Sequence, residues 1–109
     1  MIRLTSDSRI MLAVDAVDFR KQIDSLVRLC KDTLAQDPRS GTYFVFINRS
    51  RTMIRLLSYD GNGYWLCTKR LSQGRYTGWP NGGQLTSVTA QSLWSLLKTA
   101  CMTDQVIIP

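Results

Sequence analysis

Asp60-Gly61-Asn62-Gly63 lies between two runs, Met53 to Tyr59 and Tyr64 to Leu71, that are dense in aromatic and branched side chains. Glycine and Asn/Asp accept the positive φ of a tight hairpin turn, so the four residues dictate an antiparallel pair. A third run of the same kind, Thr42 to Asn48, precedes them across the short link Arg49-Ser50-Arg51-Thr52. A link this short again forces its neighbours antiparallel. Pairing Asp60 with Gly63 sets Leu57 opposite Leu66 and Leu56 opposite Cys67. Pairing Asn48 with Met53 sets Val45 opposite Leu56 and Phe44 opposite Leu57. One face of the meander then carries Phe44, Phe46, Leu57, Tyr59, Tyr64 and Leu66, and the other Val45, Ile47, Ile54, Leu56, Trp65 and Cys67. Both faces are largely apolar, so each needs a cover, whereas a sheet with one wet face alternates with polar residues.

The rest of the chain supplies candidate covers. Phe19, Ile23, Leu26, Val27, Cys30 and Leu34 fall on one helical stripe, and Asp18 (or Asp15) is a candidate N-cap. This pattern predicts a long helix from about Asp18 to Ala35, stopped by Asp37-Pro38. Arg9 to Val14 reads as a short strand at a sheet edge and Gln84 to Val88 as another. Thr89 then caps a second helix over about Ala90 to Ala100. The expected fold class is α+β: a three-stranded antiparallel meander, extended by one or two short strands, packed against a long N-terminal and a shorter C-terminal helix. A single domain spanning 1–109 is expected, with a frayed leader over 1–8 and a tail over 103–109 whose Val106-Ile107-Ile108 either docks or frays.

Charge is localised. The net charge of +6 arises between Arg39 and Trp79, where seven cations face the single Asp60, while both flanks sum to zero. A basic centre between neutral ends suits an anionic partner such as nucleic acid, although a solvated face reads the same way by charge alone. Arg49, Arg51, Arg55, Lys69, Arg70 and Arg75 are the candidate phosphate contacts. Trp65, Tyr76 and Trp79, interleaved with them, are candidate stacking or partner contacts. Trp65 is assigned to the core ahead of that role, and Trp79 stands between a loop anchor and a contact surface.

The composition argues against chemistry. With no histidine and no glutamate, the usual general bases are missing, and Asp60 is the only carboxylate in the basic region. The cysteines, Cys30, Cys67 and Cys101, are widely spaced and odd in number, which suits a reducing compartment rather than a disulfide framework or a metal cage. No catalytic residue, metal or cofactor is expected. Nor is a membrane partner, since no apolar run approaches the length of a span.

Tyr43-Phe44-Val45-Phe46-Ile47-Asn48-Arg49, Ile54-Arg55-Leu56-Leu57, Asp60-Gly61-Asn62-Gly63-Tyr64-Trp65-Leu66, Lys69-Arg70-Leu71, Gly74-Arg75-Tyr76 and Trp79-Pro80 together resemble the Orf2-like accessory proteins of the insertion sequence sixty-six family of bacterial transposons. The likeness extends to Asp18-Phe19-Arg20-Lys21, Asp37-Pro38, Ser40-Gly41 and Leu85-Thr86, and covers about residues 9–98. Ser58-Tyr59, Cys67-Thr68 and Ser72 depart from the residues usual in the family. The resemblance implies a role in transposition beside a separately encoded transposase and establishes no catalytic activity, and the reducing compartment that the cysteines suit makes the cytoplasm the expected location. Two biochemical roles follow: binding of DNA at the transposon ends, or docking on the transposase without touching DNA. A homodimer formed through an uncovered sheet face or edge is a further expectation.

Overall fold

The computed structural model describes residues 4–98 and 100–101. The hairpin expected around Asp60-Gly63 is present: Asp60 N–H donates to the Gly63 carbonyl at 3.0 Å. Of the two central residues only Gly61 has positive φ, at 105°, as in a type II′ turn. From that turn β3 (Met53–Tyr59) and β4 (Tyr64–Arg70) pair without interruption, Leu57 opposite Leu66 and Leu56 opposite Cys67. On its other side β3 pairs with β2 (Tyr43–Ile47), Phe44 opposite Leu57 and Val45 opposite Leu56. The meander and its register are those the turns dictate.

The architecture around the meander differs from the expectation. The fold is mostly sheet, with five strands in the order β4-β3-β2-β1-β6. The sheet is mixed, because β1 (Ile10–Ala13) runs parallel to β2 and antiparallel to β6 (Leu85–Val88). β1 is thus an interior strand and not an edge. The physical reason lies in its composition: Ile10-Met11-Leu12-Ala13-Val14 is a continuous apolar run, which suits a strand covered on both faces, and Ile10 and Leu12 are fully buried. A parallel neighbour needs a crossover of a dozen or more residues, and the segment holding the first helix provides it.

That helix is short. α1 spans Ile23–Asp32, ten residues, and not Asp18 to Ala35. Asp18 does not cap it. Its carboxylate instead accepts the Arg20 backbone N–H at 2.9 Å in a local turn and grips the Arg20 guanidinium at 2.7 Å. Gln22 stands at the helix start with extended backbone and no side-chain cap. At the far end Ala35 takes a left-handed conformation, φ 54°, and Gln36 N–H reaches back to the Cys30 carbonyl at 2.8 Å, closing the helix before Pro38 is reached. The second helix, α2 (Ala90–Lys98), also ends earlier than expected. Ala100–Cys101 form a short strand, β7, paired with β5 (Arg75–Tyr76). The leader residues 1–3 and the tail 103–109 lie outside the described residues.

Each face of the sheet has its cover. On one side Leu26, Cys30 and Leu34 meet Ala13, Phe44, Phe46 and Leu57. Burial pushes the Cys30 thiol up to about 12, so it packs as a neutral apolar group. On the other side Ala90 and Leu93 of α2, together with Tyr76 and Trp79, close over Ile10, Leu12, Val45, Ile47, Ile54 and Leu56. Trp79 is held by its indole N–H, which donates to the Ala13 carbonyl at 2.9 Å. The loop after β4 therefore serves as part of the core.

Candidate nucleic-acid interface

The basic residues are sorted by which end of the meander they occupy. Asn48 builds the turn between β2 and β3. Its side-chain oxygen accepts the backbone N–H groups of Thr52 and Met53 at 2.9 and 3.0 Å, and its amide donates to the hydroxyls of Ser50 and Thr52. This folding leaves Arg49 exposed and Arg51 half-buried, Arg51 in the left-handed region with φ 61°. Two further strand ends arrive beside them. Leu71 N–H donates to the Thr52 carbonyl at 2.9 Å, with Arg70 opposite Met53, and Tyr76 N–H donates to the Arg51 carbonyl at 2.8 Å, which brings Arg75 against the turn.

A fourth segment completes this end. Val17 N–H donates to the Ile47 carbonyl at 2.9 Å, drawing the loop before α1 alongside the turn. An open cleft of about 470 Å³ lies between them, lined by Val17, Asp18, Phe19, Arg20, Asn48, Arg49 and Ser50. The Arg20 guanidinium holds the Asp18 carboxyl down to about 2, by hydrogen bond first and by charge second, with Arg49 contributing. Arg20 itself is almost fully exposed.

Of the six expected phosphate contacts, Arg49, Arg51, Arg70 and Arg75 are gathered at this end. Arg55 is committed elsewhere: its guanidinium lies over the Phe19 ring at 4.7 Å, donates to the Lys21 carbonyl at 3.0 Å and reaches the Thr68 hydroxyl at 3.1 Å. It braces the loop that carries Arg20. Lys69 pairs opposite Ile54 and so projects from the opposite sheet face to Arg55 and Arg70.

The aromatic candidates divide in a different way. Tyr76 and Trp79 are buried and belong to the core. Trp65, assigned to the core from its alternation, is 43% exposed, because β4 is an edge strand with little over that face. Its indole donates to the Asp60 carboxylate at 2.8 Å. Backbone N–H groups of the turn, with that indole, hold the Asp60 carboxyl below its ordinary value. Arg20 is not among the sequence-based candidates, because the N-terminal third sums to zero charge; the Arg20-Lys21 doublet is the signal that points to it.

The described residues contain no group of three or more His, Cys, Asp or Glu able to hold a metal ion. No helix among them is long and apolar enough to cross a membrane. Fold and surface define a small, mixed-sheet protein with one cationic end.

The comparisons make the class specific. The family described as IS66 Orf2 like protein matches residues 8–106, and the chain belongs to that family. That family implies a transposition-related accessory role. The chain is similar to two uncharacterized proteins of Sinorhizobium fredii. It is 38% identical to y4jC over 70% of this chain and 65% of that protein, and 35% identical to y4hO over 76% of this chain and 73% of that protein. It thus spans slightly under two thirds of the length of y4jC. No solved structure matches it.

Proposed function

We propose that the chain is a DNA-binding accessory factor of transposition, acting in the bacterial cytoplasm, and that it grips the phosphate backbone with Arg20, Arg49, Arg51, Arg70 and Arg75. The observation that carries this reading is the arrival of four separate segments at one end of the meander, each bringing an arginine, around a turn organised by an uncharged amide. Guanidinium groups on turns and strand ends can reach phosphates of a duplex without deforming the sheet. About five phosphate contacts give a slope of log K against log salt near −4.5. Fluorescence anisotropy with a labelled duplex of the transposon end, titrated at several salt concentrations, tests this. Absence of binding at about 50 mM salt overturns it.

The alternative, docking on the transposase, draws on one observation. Trp94 on α2 is 53% exposed, and a large aromatic of that kind is the usual anchor of a protein contact. Capture of purified transposase that is weakened by Trp94→Ala and untouched by Arg49→Ala supports docking in place of DNA binding.

A further inference from the structure

β4 is the outermost strand of the sheet, and its seven residues pair with β3 in unbroken register, with no bulge and no proline along it. Among the described residues its outer side has no strand partner. A regular edge of this length offers a row of unpaired backbone groups and is a template for another strand. Its hydrogen-bonding phase is fixed at both ends. Asp60 N–H bonds to the Gly63 carbonyl and Leu71 N–H to the Thr52 carbonyl, so in the alternating pattern Trp65, Cys67 and Lys69 point their N–H groups at β3. Tyr64, Leu66, Thr68 and Arg70 point theirs outward. On the face opposite α1, the exposed side chains along this edge are Trp65, Cys67 and Lys69.

We propose that the occupant of this edge is a second copy of the chain, paired β4 to β4 in antiparallel fashion about a two-fold axis through Cys67. Cys67 is the midpoint of Tyr64–Arg70, so this register engages the whole strand. It sets Leu66 opposite the partner's Thr68 and Tyr64 opposite the partner's Arg70 as hydrogen-bonded pairs, using the four outward-facing residues and no others. Cys67 then meets the partner's Cys67 at a non-hydrogen-bonded position, where strands approach most closely. Charge selects the same arrangement. β4 begins beside Asp60 and ends in Lys69-Arg70, so antiparallel pairing brings ends of opposite sign together. Trp65 lies opposite the partner's Lys69 and Tyr64 opposite the partner's Arg70, each cation facing an aromatic ring. Parallel addition sets Lys69 and Arg70 against their own copies. Pairing β4 with the other edge, β6, overlaps only four residues and does not close. The symmetric dimer joins two five-stranded sheets into one.

The test uses the full chain without DNA. Sedimentation velocity at a concentration on the order of 100 μM, enough to saturate a micromolar contact, shows a dimer. Thr68→Pro removes an outward N–H that β3 does not use and also the hydroxyl that Arg55 reaches, a loss that on its own leaves Thr68→Val dimeric; circular dichroism verifies that the proline variant keeps its fold. The variant sediments as a monomer. In a Cys101→Ser background, diamide takes up two electrons and two protons as two Cys67 thiols become one intermolecular disulfide. Cross-linking is abolished by Cys67→Ser and falls at least tenfold with Thr68→Pro, which leaves Cys67 in place. A monomer at that concentration overturns the proposal. So does a dimer that survives Thr68→Pro, a cross-link that survives Cys67→Ser, or growth of open-ended polymers.

Discussion

The two turns of the meander are built by the same device and differ in its charge. At one end Asn48 folds back on the chain and satisfies two backbone N–H groups through its oxygen. At the other Asp60 accepts the N–H groups of Asn62 and Gly63, each at 3.1 Å, and adds the Trp65 indole. An Asx side chain tolerates either form, since only the acceptor oxygen is needed for the turn. The choice of amide or carboxylate is thus free for other purposes. Beside Arg49 and Arg51 the organiser carries no charge, so the turn adds no carboxylate to that of Asp18, which Arg20 already holds. At the far end the carboxylate sits away from them.

Breaking this comparison outright has the largest expected effect. Replacing Arg49, Arg51 and Arg75 together by alanine should weaken duplex binding by about a hundredfold and flatten the salt slope by about 2.7, while Asp60→Asn leaves both unchanged. Anisotropy titrations over a salt series read both quantities. Exchanging the organiser is subtler. Asn48→Asp keeps the acceptor oxygen and puts a carboxylate among the arginines, so affinity should fall by about tenfold with the circular dichroism spectrum unchanged. The reciprocal change, Asp60→Asn, acts on stability instead of binding. The folded-state carboxyl lies below its ordinary value, so its contribution is present above the usual carboxylate range of about 3.9 and lost as pH falls through the lowered value. Acid unfolding followed by near-ultraviolet dichroism should therefore be less steep in Asp60→Asn than in the parent chain. The smallest effect belongs to Arg51→Gly. Releasing a left-handed arginine gains about 1 kcal/mol and the flexibility of glycine takes back most of it, so urea midpoints should barely move while one phosphate contact is lost.

How much of this was legible depends on the distance between interacting residues along the chain. The register of β2, β3 and β4 followed from two turns, because turn geometry and a two-residue side-chain period leave one solution. The place of β1 did not, because its partners, Tyr43 to Val45 and Leu85 to Val88, are remote and no local residue announces a parallel neighbour. The apolar run Ile10 to Val14 is the clue to an interior strand, against the edge position expected for Arg9 to Val14. Asp18 had the residue type and position of a helix cap, yet Arg20, two residues on, captured its carboxylate. Trp65 departs from its core assignment for a similar reason: alternation shows which face a side chain occupies, and only the completed strand order shows whether anything lies above it. On the cationic surface, Arg49 and Arg51 were visible as turn residues. The withdrawal of Arg55 into a brace and the arrival of Arg20 required the crossover loop to be in place.

The bond from the Trp79 indole to the Ala13 carbonyl ties together residues separated by 66 positions, and β6 pairs with β1 from farther still. During synthesis the first strand therefore leaves the ribosome long before the residues that seal it, and waits, apolar and uncovered, while the local meander assembles. Contacts of such span are slow to form and leave sticky intermediates. Nascent chains halted before Trp79 should clump or recruit holdase chaperones, and those released after Val88 should not.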